Sequence, residues 1–326
     1  MKRLLSLACT AGATFFAVHS AHAAAPDNYP SRPIRMIVPI AAGGGTDIIA
    51  RMVGQGLLAS WKQSVIIDNR PGAGGVLGMR TGAQAPADGY TLLTGNVGSL
   101  AISPSLFKSA NYDTLRDFEP VALLATAPIT LVAHTSIKER SVKDLVDGMK
   151  TNPNRYSIAS SGIGQSTHLA AELFRIQTGV KSVIVPYRGA APAITDLLGG
   201  NVQLIFDATQ ALPHVRAGKL RAMAVASAKP FSLYPGVPTM AEAGLPGFEV
   251  YTWFGLVAPK GTPKAIVEKL NREIVQIMGQ STTKQQVLDV TMSEVVTSSP
   301  AEFGQFIKRE VARWHDVIQK TGIREE

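Results

Sequence analysis

Short apolar runs alternate with longer amphipathic stretches along most of the chain, and the changes of period fall at glycine or proline turns. Ile34 to Ile40 is an apolar run of strand character. Gly43, Gly44 and Gly45 follow it. Thr46-Asp47 then opens a stretch with apolar positions at Ile48, Ile49, Met52, Val53 and Leu57, the spacing of one helix face. Ser64 to Asp68 and Tyr90 to Thr94 are the next strands, separated by the glycine-rich loop 69–75 and a helix to about Ala85. This alternation predicts βαβ units and a parallel sheet.

A second series follows the segment 120–128. Ile129 to His134 reads as a strand, Ser141-Val142-Lys143-Asp144 as a helix-opening cap, and Asn152-Pro153-Asn154 as its end. Tyr156 to Ala159, Ser182 to Val185, Val202 to Phe206 and Leu220 to Ala226 are strands, with helices running through Phe174 and to Leu198. Val250 to Ala258 is apolar and aromatic. A helix from Pro263 to Met278 follows, and a last one opens at Ser299-Pro300-Ala301-Glu302 with Phe303, Phe306, Ile307, Val311, Trp314 and Ile318 on one face. These tail helices are expected to pack on the first sheet. The fold expected is therefore α/β with two domains, each a mainly parallel sheet flanked by helices. One is discontinuous (24–127 plus 252–326), the other is 128–251, and two crossover strands join them.

Composition changes the picture at the amino end. The chain of 326 residues is 45% hydrophobic and 17% charged, a globular composition. Its first 23 residues differ: Lys2 and Arg3, an apolar core from Leu4 to Val18, then Ala21-His22-Ala23, the form of a secretory signal cleaved near Ala23. The core is shorter than the roughly 20 residues of a spanning helix. Cys9, the chain's one cysteine, lies inside it, so the exported part has no disulfide, thiolate nucleophile or cysteine metal site. Removing the segment's two basic residues takes the net charge from +8 to 8 − 2 = +6, a mild preference for anionic small molecules. No lysine/arginine run or basic-aromatic stripe points to nucleic acid.

Two strand-to-helix turns carry the candidate chemistry: Gly43-Gly44-Gly45-Thr46, and Gly162-Ile163-Gly164-Gln165-Ser166-Thr167. Glycines admit a ligand close to the backbone, and the first amides of a helix have no partner within it. Ligands of open α/β sheets sit beyond the carboxyl ends of strands, so two facing domains would bring both turns to one cleft holding a carboxylate. Asp47 is expected to offset the helix dipole. His168 either braces its loop through a ring hydrogen bond or touches ligand. Asp207, at a strand end, is either structural or holds water or a polar ligand group. Tyr187 and Arg188 end a strand on the cleft side, with Arg188 pairing a second carboxylate or standing as a rim charge. Enzyme signatures fail. His168 stands where a nucleophile elbow needs glycine, Ile48 stands where a dinucleotide fingerprint needs its third glycine, and no histidine spacing suits zinc. No catalytic residue, metal or cofactor is assigned.

The chain resembles the Bug-type periplasmic solute-binding proteins of tripartite tricarboxylate transporters. The resemblance rests on Tyr29-Pro30-Ser31-Arg32-Pro33-Ile34, the turn from Pro39 to Asp47, Asn69 to Gly75, and Ala85 to Leu93. It continues with Gly162-x-Gly164 before His168-Leu169-Ala170, Val185 to Gly189, Asp196 to Gly200, Ala217 to Ala222, Trp253-Phe254-Gly255 and Ala258 to Pro263. It implies a flytrap of two domains that closes on a carboxylate. One ligand carboxylate would be held by backbone groups and waters from Ala41, Ala42 and Gly43 to Thr46, and from Ser161 to Thr167. Asn96, Ser99, Tyr187 and Asp207 are expected to choose the ligand. Ile40 stands where relatives often have an aromatic residue. The implied partners are a small organic carboxylate and the permease subunits of a tripartite tricarboxylate transporter, with the receptor a periplasmic monomer. The alternatives are a sensor feeding a membrane kinase and a secreted hydrolase built on Ser166, His168 and Asp207.

Overall fold

The computed structural model describes residues 28–153, 155–187, 189–208 and 210–323; the export signal expected within residues 1–23 and Arg188 lie outside the described residues. The first part of the chain forms β1 (Ile34–Val38), α1 (Gly45–Trp61), β2 (Val65–Asn69), α2 (Val76–Ala83), β3 (Thr91–Asn96), the short helices α3 (Ser103–Leu106) and α4 (Thr114–Asp117), and β4 (Phe118–Pro128). The second forms β5 (Thr130–His134), α5 (Val142–Thr151), β6 (Ile158–Ser160), α6 (Ser166–Thr178), β7 (Ile184–Pro186), α7 (Ala190–Leu198), β8 (Leu204–Asp207), α8 (Leu212–Arg216) and β9 (Leu220–Val225). The chain returns through β10 (Tyr251–Pro259), α9 (Lys264–Gly279), α10 (Ser281–Thr291), β11 (Glu294–Val295) and α11 (Pro300–Thr321).

Two sheets result, in the orders β11-β4-β10-β3-β1-β2 and β7-β6-β8-β5-β9. In the first, β1 pairs parallel with β2 and β3, and β10 runs antiparallel between β3 and β4. In the second, β6 pairs parallel with β7 and β8, and β5 runs antiparallel between β8 and β9. Leaving β11 aside, β2-β1-β3-β10-β4 matches β7-β6-β8-β5-β9 strand for strand and direction for direction. The two-domain α/β fold is present. Its parallel part is the βαβ half of each sheet, while the crossing strands run antiparallel and make both sheets mixed.

The segment 120–128, to which the sequence assigns no element, belongs to β4, a strand of 11 residues. Its prolines disguise it. Pro120 stands where the ladder with β10 shifts register, and Pro128 is the last residue, both positions that tolerate a missing amide. Between the sheets three segments are knitted together: Ile129 N donates to Val250 O (2.8 Å), Ala226 N to Ile129 O (2.8 Å) and Val250 N to Ala226 O (2.9 Å). The tail helices α9 and α11 pack on β4, as their apolar faces predict. Ser299 and Glu302 form the expected capping box at the start of α11.

Candidate functional site

The topological match places two loops in equivalent positions, one between β1 and α1, the other between β6 and α6. Their backbones agree closely. Gly43 has φ +85° and Gly164 has φ +72°. The following residues are the N-caps, Gly44 at φ −78°, ψ 161° and Gln165 at φ −77°, ψ 159°, and neither caps its helix with a side chain. The first amides bonded within the helices are Ile48 N to Gly44 O and Leu169 N to Gln165 O, both 3.0 Å. The amides of Gly45, Thr46 and Asp47, and of Ser166, Thr167 and His168, come before that point and have no acceptor inside their own helix. Gly43 therefore corresponds to Gly164, with Gly162 an additional bend before it.

Each loop is held by the residue four positions beyond its left-handed glycine. Gly43 N donates to Asp47 Oδ2 (2.9 Å), and Gly164 N donates to His168 Nδ1 (3.3 Å). Asp47 is buried, and its second oxygen accepts from Asn69 Nδ2 (2.9 Å), which also donates to Ile40 O (3.1 Å). Arg51 Nε completes the set on Asp47 Oδ2 at 2.9 Å. Burial pushes this carboxyl up, yet the bonds from Arg51, Gly43 and Asn69 outweigh it and leave it below its ordinary value. Asp47 is thus a brace for the loop, a more specific role than offsetting the helix dipole. Asn69 and Arg51 were missed from sequence. The i, i+4 spacing of Asp47 and Arg51 was the available signal for one of them.

The threonines after the N-caps are equivalent too. Thr46 Oγ1 accepts from Asn96 Nδ2 (3.3 Å), and Thr167 Oγ1 accepts from Ser161 N (3.0 Å) and lies 2.7 Å from Ser161 Oγ. Ala41, Ala42 and Gly43 are exposed, as are Ile163 and Gln165, while Ser166, Thr167 and His168 are buried at the helix start. A methyl on Gly164 would lie 2.2 Å from Leu106 Cδ2 of α3, and one on Gly45 would lie 3.0 Å from Phe254 Cζ of β10. The second loop therefore abuts the first domain, and the first loop abuts a crossing strand.

The remaining expected residues divide. Asn96 ends β3 as Asp207 ends β8, and each turns its side chain onto the backbone beyond: Ser99 N donates to Asn96 Oδ1 (3.0 Å) and Ala211 N to Asp207 Oδ2 (2.7 Å). Ser99 has no exposed surface; its hydroxyl receives Asn96 N at 3.0 Å, so it supports Asn96 and does not reach a ligand. The Tyr187 hydroxyl is committed to Asp196 Oδ2 at 2.7 Å. A relay of Ser166, His168 and Asp207 would need His168 Nδ1 to donate to the carboxylate, whereas here Nδ1 receives the Gly164 amide at 3.3 Å. Among the described residues no group of three His, Cys, Asp or Glu could hold a metal ion, and no helix is long and apolar enough to cross a membrane.

Residues 49–323 match the model of the tripartite tricarboxylate transporter family receptor. The chain belongs to this receptor family. It is accordingly a solute-binding receptor and not an enzyme. Protein BugT of Bordetella pertussis is 39% identical over 300 residues, 91% of this receptor and 92% of that protein. Among solved structures, Rpa4515 of R. palustris with adipate is 35% identical at a TM-score of 0.78, covering 91% of this receptor and 99% of that chain. MatC of Rhodopseudomonas palustris with bound malate is 32% identical at a TM-score of 0.75, covering 89% and 100%.

Proposed function

We propose that this receptor works in the periplasm, captures a small organic carboxylate between domains 24–127 plus 252–326 and 128–251, and hands it to the permease subunits of a tripartite tricarboxylate transporter. The observation that carries the reading is the pair of matching, uncapped helix starts. Each aims backbone amides beyond the carboxyl end of a central parallel strand, where charge-assisted bonds to a carboxylate are worth roughly 1.5–3 kcal/mol apiece. The residues from Ala41 to Thr46 and from Ser161 to His168 grip the common carboxylate. Asn96, Tyr187, Arg188 and Asp207 shape the space that chooses the rest of the ligand. The adipate and malate in the two neighbouring structures support a dicarboxylate. Residues 1–23 direct export and are removed near Ala23, and the receptor acts as a monomer without a cofactor.

Thermal denaturation with a panel of di-, tri- and aromatic carboxylates tests the reading. A ligand present at about 100 times its dissociation constant adds about 2.7 kcal/mol of stability. A panel that moves no melting temperature overturns it. Uptake of the active acid by membranes carrying the permease, dependent on added receptor, tests the transport step.

A further inference from the structure

We propose that His168 is a positioning residue that shapes the second loop, and that it makes this half of the site lose its brace in milder acid than the first half does. The proposal rests on reading the two loops as a carboxylate clamp. Gly43 and Gly164 occupy the same left-handed position, and each gives its amide to the side chain four residues on. That bond fixes the glycine and so sets the direction of the helix amides that follow. The two acceptors differ in kind. Asp47 accepts in its charged form. His168 accepts only while neutral, because a proton on Nδ1 would face the Gly164 N–H and remove the lone pair that receives it.

The surroundings keep the ring neutral at ordinary pH. His168 is 7% exposed, and it lies in the first turn of α6, where a positive charge meets the positive end of the helix. Arg175, further along α6 and paired with Glu172 at 3.1 Å, is the charged side chain that acts on the ring. Of the elements packed against α6, β6 and β7 carry no titratable side chain, β8 carries Asp207, and α11 turns inward Glu310, held by Trp253 and Trp314, with Arg313 beside it. Burial and Arg175 lower the imidazole below its usual 6.5. The loop therefore keeps its shape at neutral pH and loses its brace as the medium acidifies through that lowered value.

Asparagine separates the two roles of the ring, since its Oδ1 stands as far from Cβ as Nδ1 does and accepts without titrating. The protein labelled with [15N]glycine and [15N]histidine, without ligand, is followed by amide hydrogen exchange from about pH 7.5 to about pH 5. Protection of Gly164 should fall roughly 3- to 10-fold relative to Gly43 in the native protein and stay level in His168→Asn. Protection of the two glycines moving together throughout, or ring nitrogen shifts placing the neutral proton on Nδ1, overturns the proposal. Malate and adipate binding is then measured over the same range. Weakening on acidification that is equal in the native protein and His168→Asn overturns the acid sensitivity of the site. Failure of both acids to bind while the glycine amides still diverge counts against the carboxylate clamp and leaves the positioning role supported.

Discussion

The backbone amide of Gly43 donates to Oδ2 of Asp47 across 2.9 Å, and through Asp47 the loop is tied to Arg51 on α1 and Asn69 at the end of β2. One buried carboxylate thus fixes three segments without pointing at a ligand. Asp47→Ala should leave the Gly43 amide without its acceptor and take from Asn69 Nδ2 one of its two, Ile40 O remaining, destabilise the protein by about 1–3 kcal/mol, and weaken every carboxylate ligand alike. Asp47→Asn keeps an acceptor and should lose less. Calorimetric titration with two unlike acids checks this; a loss confined to one acid would place Asp47 in ligand choice instead.

The same network predicts an acid limit. Asp47 is held below its ordinary value of 3.8, because the bonds from Arg51, Gly43 and Asn69 overcome the opposing effect of burial. Asp68 is held down likewise by Arg35 and Arg70 against the upward push of burial. A carboxyl whose folded value is depressed contributes stability that is present above its unfolded value, near pH 4, and is lost as pH falls through the folded one. Melting temperature should therefore drop below about pH 4, less steeply in Asp47→Asn than in the native protein.

Two alanine substitutions should separate backbone strain from crowding. A methyl on Gly43 meets nothing within 4 Å, so Gly43→Ala is penalised by its φ of +85° alone, about 1–2 kcal/mol. Gly164→Ala carries the same strain and also drives its methyl to 2.2 Å from Leu106 Cδ2, adding about 1–3 kcal/mol. Leu106→Ala opens that space. Urea midpoints over the double-mutant cycle should show favourable coupling of at least about 1 kcal/mol between positions 106 and 164, and additivity between 43 and 106.

What could be read from sequence was local. The glycine turns, the helix starts after them and the Ser299 cap each declare themselves within about six residues, and each lies where it was expected. The correspondence of Gly43 with Gly164 could not be read, because Gly162 and Gly164 look alike until their backbone angles are known. Ser99 reads as a polar residue at a strand end, and its complete burial depends on how the turn closes over it. The bond from Asn69 to Asp47 spans 22 residues and the approach of Leu106 to Gly164 joins two domains, so neither leaves a periodic trace. The strand β4 was hidden by prolines whose positions are harmless only because of where its ladder shifts.

A last relationship concerns the crossing between the sheets. Glu310 Oε2 accepts from Trp253 Nε1 at 2.9 Å and from Trp314 Nε1 at 3.1 Å, while Arg313 of the same helix donates to Glu249 O. Trp253 lies on β10, shortly after the Val250 link to Ile129 and Ala226, so α11 is fastened to a strand by which the chain crosses. Glu310→Ala would strand two indole N–H groups, at about 1–3 kcal/mol each, and should lower stability by about 2–6 kcal/mol. Glu310→Gln retains one acceptor oxygen and should lose about 1 kcal/mol. Thermal melts measure both. If α11 only supports the fold, affinity for a bound acid well below the melting temperature should stay within about 2-fold of the native value in Glu310→Gln. A larger change in affinity, with melting unaltered, would instead assign the Glu310–Trp253 bond to the balance between open and closed domains.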